Sequence, residues 1–300
     1  MRDNRRLITL VTKTEESVLG KNTEWQQSAL ALDKTGVLSR RHIAEVIGVA
    51  RSTCLDFLRD YGKFKDGVAT TQEVDTEYDN SRILVISDLH LPYGNKKTFE
   101  FLQYLKDKYE PTRVVQIGDE CDYNFSSYHE SDPDLYSAGH ELKKAREQIK
   151  QLEKMFPEVD LLESNHGSIP MRKSKTAGLS RDCIKSYNDI LGVGEGWRWH
   201  DDLTITLPNG QRVYFCHGRS SDGLKLSKNM SCNVVQGHFH SKFNIQYWSN
   251  PDNLFWSMQA GCLVDSKSLA MAYNKLTLDR PIIGCGLIID SKPVLETIEM

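Results

Sequence analysis

The chain has 300 residues, 39% of them hydrophobic and 26% charged, with a formal net charge of -3. That is an ordinary globular composition, long enough for one large domain or a main domain with a small appendage, and it gives no general polyanion-binding signal. The charge is uneven, however: residues 1–70 carry 12 Lys/Arg against 9 Asp/Glu, a net of +3, while the remainder nets -6, a weak pointer to a nucleic-acid contact near the N-terminus. Seven scattered cysteines, Cys54, Cys121, Cys183, Cys216, Cys232, Cys262 and Cys285, form no CxxC pair. An odd, unpaired set favours reduced, buried thiols in a cytoplasmic protein over a disulfide framework. MRDNRRLITLVTK has no apolar stretch of signal-peptide length, and no window approaches a membrane span, so no membrane partner is expected.

Residues 1–22 are polar and patternless, a lead-in. TEWQQSALALDKTG then reads as a helix capped by Asn22 or Thr23 and stopped by Gly36. SRRHIAEVIGVARSTCLDFLRDYG falls into two short helices about a turn at Gly48-Val49, with Ile43, Ala44 and Ile47 inward on the first and Leu55 and Leu58 on the second. The small Ala44, the turn Gly48 and the apolar Val49 resemble a helix-turn-helix unit, in which Arg51, Ser52 and Thr53 would open the DNA-reading helix. The competing reading is a small helical bundle for packing or dimerisation. Residues 63–80, polar and without period, read as a linker, giving a helical domain at 1–62 and a main domain at 81–300.

Beyond the linker, strand-like runs recur: RILVIS, RVVQI, VDLLE, LTITL, RVYFC, NVVQ, FNIQYW, LFWSMQA and GLIID. Helical patterns separate the early ones: KKTFEFLQYLKDKY, and HELKKAREQIKQLEKMF with an inward stripe of Leu142, Ala145, Ile149, Leu152 and Phe156. Strand–helix alternation followed by strands in succession predicts an α/β core whose second half is antiparallel. GVGEGW at Gly192–Trp197 lacks a full phosphate-loop spacing and reads as a loop bordering the site.

The strand ends carry the chemistry. RILVIS runs into Asp88-Leu89-His90, RVVQI into Gly118-Asp119-Glu120-Cys121-Asp122, and VDLLE into Ser164-Asn165-His166-Gly167. RVYFC runs into His217-Gly218 and NVVQ into Gly237-His238-Phe239-His240. Five of the nine histidines sit in these places, beyond the carboxyl ends of strands, where an α/β sheet gathers its functional groups. An HxH pair on extended chain shares one face, so His238 and His240 can project together.

The order D-x-H, G-D-x-x-D, N-H, H-G, G-H-x-H resembles the calcineurin-like metallophosphoesterase superfamily over residues 82 to 240. The resemblance implies a four-layer α/β sandwich of two mixed sheets flanked by helices, here preceded by the small helical domain. It implies two divalent metal ions: Asp88, His90, Asp119 and His240 on the first, and Asn165, His217 and His238 on the second, with Asp119 bridging. Carboxylates and imidazoles suit Mn²⁺, with Fe or Zn²⁺ possible, and the absence of thiolates argues against a structural zinc site; Cys216 is not counted as a ligand. In such enzymes a hydroxide shared by the ions attacks phosphorus in line. The resemblance casts His166 as the group that protonates the leaving oxygen, oriented by Asp122.

Two departures narrow the substrate. The arginine that follows the second aspartate in protein phosphatases of this superfamily is here Tyr123, and their GNHE is SNHG, so protein phosphatase activity is disfavoured. Arg172, Arg219 and Lys225 are candidate phosphate contacts; Tyr123, Phe125 and Tyr128 either stack a base or pack under a loop. The leading expectation is a DNA phosphodiesterase positioned by the helix-turn-helix. Its rivals are a phosphomonoesterase on nucleotides or small phosphates, with the helical domain as cap or dimerisation module, and a non-catalytic DNA-binding regulator. Oligomers are compatible with all three.

Overall fold

Apolar runs of four to six residues bounded by turns bury both faces only as inner strands of a layered sheet. The computed structural model describes Trp25, Ser28, Ala29, Ala31, Leu32, residues 40–49, Cys54, and residues 79–126, 132–270 and 278–298. The chain divides into two compact units, Met1–Thr70 and Thr71–Met300.

In the first unit the described positions between Trp25 and Leu32 are helical, and a second helix spans Arg40–Ile47. Ala29, Leu32, Ile43, Ala44 and Cys54 form its small core, with Trp25, Val46 and Ile47 against it. The Arg40–Ile47 helix ends where the sequence places the turn. Gly48 adopts φ +70°, and the Val49 amide donates to the Ala44 carbonyl at 3.2 Å. Arg51, Ser52 and Thr53, Leu55 and Leu58, and linker residues 63–78 lie outside the described residues, as does Tyr128.

In the second unit the strands are β1 (Arg82–Ile86), β2 (Arg113–Gln116), β3 (Val159–Leu162), β4 (Trp197–His200), β5 (Leu203–Thr206), β6 (Arg212–Cys216), β7 (Asn233–Gln236), β8 (Phe243–Ser249), β9 (Leu254–Ala260), β10 (Gly284–Ile289) and β11 (Lys292–Thr297). They form two mixed sheets, ordered β11-β10-β1-β2-β3-β4 and β5-β6-β7-β9-β8. β1 to β4 run parallel, with β10 and β11 added antiparallel; in the second sheet β6, β7 and β9 are parallel between antiparallel edges.

Alternation of side chains sorts the layers. Leu84 and Ile86 of β1 face the helices Thr98–Tyr109 and Ala138–Met155, meeting Phe101, Leu102, Leu105, Ile149 and Leu152. Ile83 and Val85 face the second sheet, meeting Phe215, Val235 and Met258. The outer face of that sheet is covered by the helix Gly223–Met230 through Leu226, packed with Tyr214 and Val234. Complete burial of one such side chain, Leu84 or Phe215, contributes roughly 1.5–3 kcal/mol. The result is the expected four-layer sandwich of two mixed sheets flanked by helices.

Three details differ from the sequence reading. The second half of the core is mixed and not antiparallel, because the helix Gly223–Met230 supplies the crossover that lets β6 and β7 run parallel, and β9 joins them in the same direction. On the Ala138–Met155 helix it is Glu141, not Leu142, that is buried, because its carboxylate accepts from the Asn124 amide at 3.0 Å and the Tyr93 hydroxyl at 3.3 Å. The Gly192–Trp197 loop does not border the site. It leads into the start of β4, with Gly196 against the Pro157 carbonyl, and parallel strands begin at the edge opposite their carboxyl ends. All seven cysteines are free, six of them buried. Among the described residues no helix is long and apolar enough to cross a membrane.

Candidate metal centre

The parallel strands β1, β2 and β3 of one sheet, and β6 and β7 of the other, end at a common edge, and the five motifs follow directly. The turns there are tight. Gly118 has φ +102°, and a side chain on it would come within 2.4 Å of Ser164 Cβ; a Cβ on Gly237 would lie 1.9 Å from Ser87 Oγ and 2.4 Å from Asp88 Oδ2. Each motif glycine is thus the room a neighbouring functional side chain occupies. Asp88, His90, Asp119, Tyr123 and His238 also adopt positive φ, from 47° to 66°, a region that costs a non-glycine residue about 1–3 kcal/mol.

Buried polar side chains brace these turns. Gln116, last in β2, accepts from the Gly118 amide at 2.6 Å and donates back to the Gly118 carbonyl at 3.0 Å. Gln236, last in β7, accepts from the Arg219 amide at 3.1 Å, next to the His217 loop. Ser164 Oγ accepts from the amides of Asp119 at 2.8 Å and Gly167 at 3.0 Å.

The seven side chains expected as ligands converge. His240 Nε2 lies 3.1 Å from Asp88 Oδ1 and 3.2 Å from His90 Nε2; His90 Nε2 lies 3.5 Å from Asp119 Oδ2. On the other side of Asp119, His217 Nε2 is 3.3 Å from the same Oδ2 and 2.6 Å from Asn165 Oδ1. His238 Nδ1 stands 3.2 Å from His217 Nε2 and 3.1 Å from Asn165 Oδ1. Asp119 therefore lies between two groups of donors, Asp88–His90–His240 and Asn165–His217–His238.

The donors fit a divalent ion on their own chemistry. His90 Nδ1 donates to Asp122 Oδ1 at 2.7 Å and His217 Nδ1 donates to the Ile117 carbonyl at 3.0 Å, acceptors that can only receive. In the neutral rings both Nε2 lone pairs then point at Asp119 and at other bare acceptors, an arrangement that needs a proton or a cation among them. Electrostatics agree. Burial alone would raise the Asp88 carboxyl, but hydrogen bonds from His240 and His90 and the nearby imidazoles hold it well below the usual range. Asp119 is likewise lowered against its burial by His217, His166 and His90. Burial would lower His90 and His217, yet Asp122 and Asp88 raise His90 well above normal, and Asp119 brings His217 to about 9. His238 moves the other way, lowered by burial and by the charge of His217.

His166 and Asp122 are in place with divided roles. The His166 ring, half-buried, donates Nδ1 to the main-chain carbonyl of Asp122, while the Asp122 carboxylate, 3.7 Å from that nitrogen, is hydrogen-bonded to His90. The His166 amide donates to Asp119 Oδ1 at 2.9 Å. His90, Asp119 and His166 also offer ligand atoms close together, so position alone leaves His166 two possible jobs.

No family model matches the sequence, and no curated protein matches it. Among solved structures, the chain is similar to an archaeal phosphodiesterase at 14% identity and TM-score 0.40, over 72% of this chain and 99% of that one. It is similar to zinc-complexed Vps29 from Entamoeba histolytica at 14% identity and TM-score 0.37, over 72% and 98%. It is also similar to the nuclease MPE from Pseudomonas putida at 13% identity and TM-score 0.30, over 73% and 93%. Likeness at this level decides nothing about chemistry, and the site's own geometry is what bears on it. What the structure shows is a sandwich of two mixed sheets flanked by helices, with the five motifs gathered at one edge of it.

Beside these donors lies a cavity of about 440 Å³ lined by Asn165, His217, His238, Arg172 and Arg219, together with Glu163 and Asp201. Arg172 reaches the Asn165 carbonyl and Ser168 Oγ, and Arg219 pairs with Asp202 at 2.6 Å. Cys216 also lines the cavity, but burial pushes its thiol up to about 12, which keeps it protonated. Tyr123 packs against the helix-side core, whereas Phe125 is 62% exposed. Glu120 is the residue that sequence reasoning missed. Its carboxylate is fully buried beneath the centre without a hydrogen-bond partner, and burial raises it to about 7. The signal was visible, an extra acid inside GDECD, but nothing in the spacing distinguished it from the flanking aspartates.

Proposed function

We propose that this chain is a metal-dependent phosphoric ester hydrolase, and specifically a phosphodiesterase acting on nucleic acid. The observation that carries the reading is the pair of imidazoles, His90 and His217, whose Nδ1 atoms are committed to Asp122 and Ile117 so that both Nε2 atoms face Asp119. Asp88, His90, Asp119 and His240 would hold one ion and Asp119, Asn165, His217 and His238 a second, Mn²⁺ being the cation that suits this donor set. What bound divalent ions supply at such a centre is Lewis acidity toward water and toward phosphoryl oxygens.

The chain's own residues do the rest. Arg172 and Arg219, which line the cavity next to Asn165, His217 and His238, would contact the non-bridging oxygens of a phosphoryl group. His166, held by its Nδ1 hydrogen bond to the Asp122 carbonyl, keeps its other nitrogen available to pass a proton to the departing oxygen. The Asp122 carboxylate fixes the tautomer of His90. DNA as the substrate rests on the helix-turn-helix resemblance around Gly48 and on the basic excess of residues 1–70.

A second reading, a phosphomonoesterase on nucleotides, is favoured by the cavity itself, since about 440 Å³ is within the size range of small-molecule sites. The Mn²⁺-loaded chain should be assayed on single- and double-stranded DNA, RNA, mononucleotides, and the mono- and bis-p-nitrophenyl phosphates. Cleavage of a polynucleotide and of the bis-ester supports the diesterase; activity confined to mono-esters supports the rival. Removing residues 1–70 should weaken DNA affinity and spare small-ester hydrolysis, and unchanged affinity would remove the helical unit from DNA binding.

A further inference from the structure

The loop that leaves His217 continues through Ser221 and Asp222 into the helix Gly223–Met230, and the loop that carries His238 and His240 continues through Ser241 and Lys242 into β8. Between these two continuations runs a groove of about 630 Å³, distinct from the cavity lined by Arg172 and Arg219. Lys225, Lys228 and Lys242 stand along it against a single carboxylate, Asp222. That carboxylate is already engaged, capping the helix by accepting from the Lys225 amide at 2.9 Å. Lys242 Nζ reaches the Ser221 carbonyl, tying one lip of the groove to the other.

The floor is polar where the outer face of a sheet under a helix is normally apolar. Asn244 pairs with Gln259 and Gln246 with Ser257 across β8 and β9, and Asn244, Gln246 and Gln259 line the groove. Gln259 and Ser257 are 2% and 1% exposed, yet Gln259 Oε1 and Ser257 Oγ have no hydrogen-bond partner. Gly223 packs directly over them: a Cβ there would lie 3.0 Å from Ser257 Oγ and 3.2 Å from Gln259 Nε2, closer than side chains normally approach. Buried polar atoms without a partner are costly, about 1–3 kcal/mol each, so this strip of the sheet is polar for a reason other than packing.

Resting on the phosphodiesterase reading above, we infer that this groove binds the backbone next to the scissile phosphodiester of an extended single strand, the lysines taking neighbouring phosphates and the exposed Asn244 and Gln246 the adjoining sugars. The chemistry is that of backbone tracking. Ammonium, amide and hydroxyl groups recognise phosphate and sugar, and among the described residues no aromatic side chain lines the groove to read a base. The substrate is therefore longer than a mononucleotide and is gripped without regard to sequence.

The test uses the full Mn²⁺-loaded chain and its K225Q/K228Q/K242Q variant, with bis-p-nitrophenyl phosphate and a single-stranded oligonucleotide as substrates. The KM for the oligonucleotide should rise about tenfold relative to that for the small diester, and the slope of log KM against log salt should fall by about 2, three phosphate contacts at roughly 0.7 each. An N244A/Q246A variant should raise the oligonucleotide KM without changing that slope. Hydrolysis of both substrates with the KM ratio and salt slope unchanged in the triple variant overturns the groove. If the wild type hydrolyses neither, it is the esterase reading that fails. Fluorescence anisotropy of the oligonucleotide on the metal-free chain then decides the groove, binding weakened in the triple variant supporting it and unchanged binding overturning it.

Discussion

Replacing His166 by asparagine separates the two jobs its position allows. The half-buried ring makes one side-chain hydrogen bond, to the Asp122 carbonyl, while the link to Asp119 runs from the His166 main-chain amide and survives substitution. Loss of one such bond costs about 1 kcal/mol of stability, too little to disturb the donors around Asp119. Metal content should therefore stay at the wild-type level. Turnover of a polynucleotide, whose departing alkoxide needs a proton, should fall by about 10²–10⁴, or roughly 3–5 kcal/mol in the barrier. Bis-p-nitrophenyl phosphate, whose nitrophenolate leaves unprotonated, should lose much less. Plasma mass spectrometry gives the metal-to-protein ratio, and steady-state kinetics on both esters gives the split. Loss of bound metal in the variant would make His166 a ligand alongside His90 and Asp119. Equal losses on the two esters would remove the proton-donor role.

Three further outcomes are expected. Gly237→Ala puts a methyl group on Ser87 Oγ and Asp88 Oδ2 and should abolish metal binding while the circular dichroism spectrum is retained; an alanine variant with full metal content would show the turn has slack. His217 is raised to about 9, so below that pH its ring holds a proton that a cation must displace. Mn²⁺ affinity measured by titration calorimetry should rise about one decade per pH unit up to about 9 from this group alone, and a flat profile would contradict the assigned ligand. Away from the centre, Asp160 accepts from Arg113 at 2.8 Å, Arg198 at 3.0 Å and His200 at 2.9 Å, contacts that hold its carboxyl below the usual range against its burial. A lowered value means this stability is present above the ordinary carboxylate pKa and is lost as pH falls below it. Asp160→Asn removes the buried charge that Arg113, Arg198 and His200 all face and should cost about 3–5 kcal/mol in urea unfolding at neutral pH; a loss under about 1 kcal/mol would refute the account.

Most of the sandwich was legible because its inner strands are apolar on both faces, as RILVI and RVYFC show. The elements that escaped are those whose stabilisation comes from elsewhere. β4 reads WRWH: only Trp197 is fully buried, and Arg198 and His200 are satisfied by Asp160, forty residues away in the fold's logic and invisible to periodicity. β11 contains Pro293 and is half-buried at a sheet edge, where a missing amide is tolerated. The helices Ile169–Thr176 and Gly223–Met230 carry too few apolar residues for a stripe, since the first buries only Ile169 and the second chiefly Leu226. At the centre the donor residues could be read because their chemistry is rare at strand ends. Their supports could not, although a glutamine closing an otherwise apolar run, as in RVVQ and NVVQ, is itself a sign that a turn beyond it needs bracing.

Those supports explain how the centre tolerates its own strain. Positive φ at Asp88, His90, Asp119 and His238 would each favour relaxation of the turn by about 1–3 kcal/mol. Opposing this, Gln116 closes the Gly118 turn from both sides, Ser164 holds the Asp119 amide, and the His238 amide donates to Asp88 Oδ2 at 2.9 Å. None of these bonds involves a cation. The imidazoles His90 and His217, raised by the carboxylates they face, can hold protons in the place where a cation would sit, so the donors remain electrostatically paired without one. Cation binding then exchanges protons for metal within a frame already built, which is why its affinity should follow pH while the fold around it does not depend on the exchange.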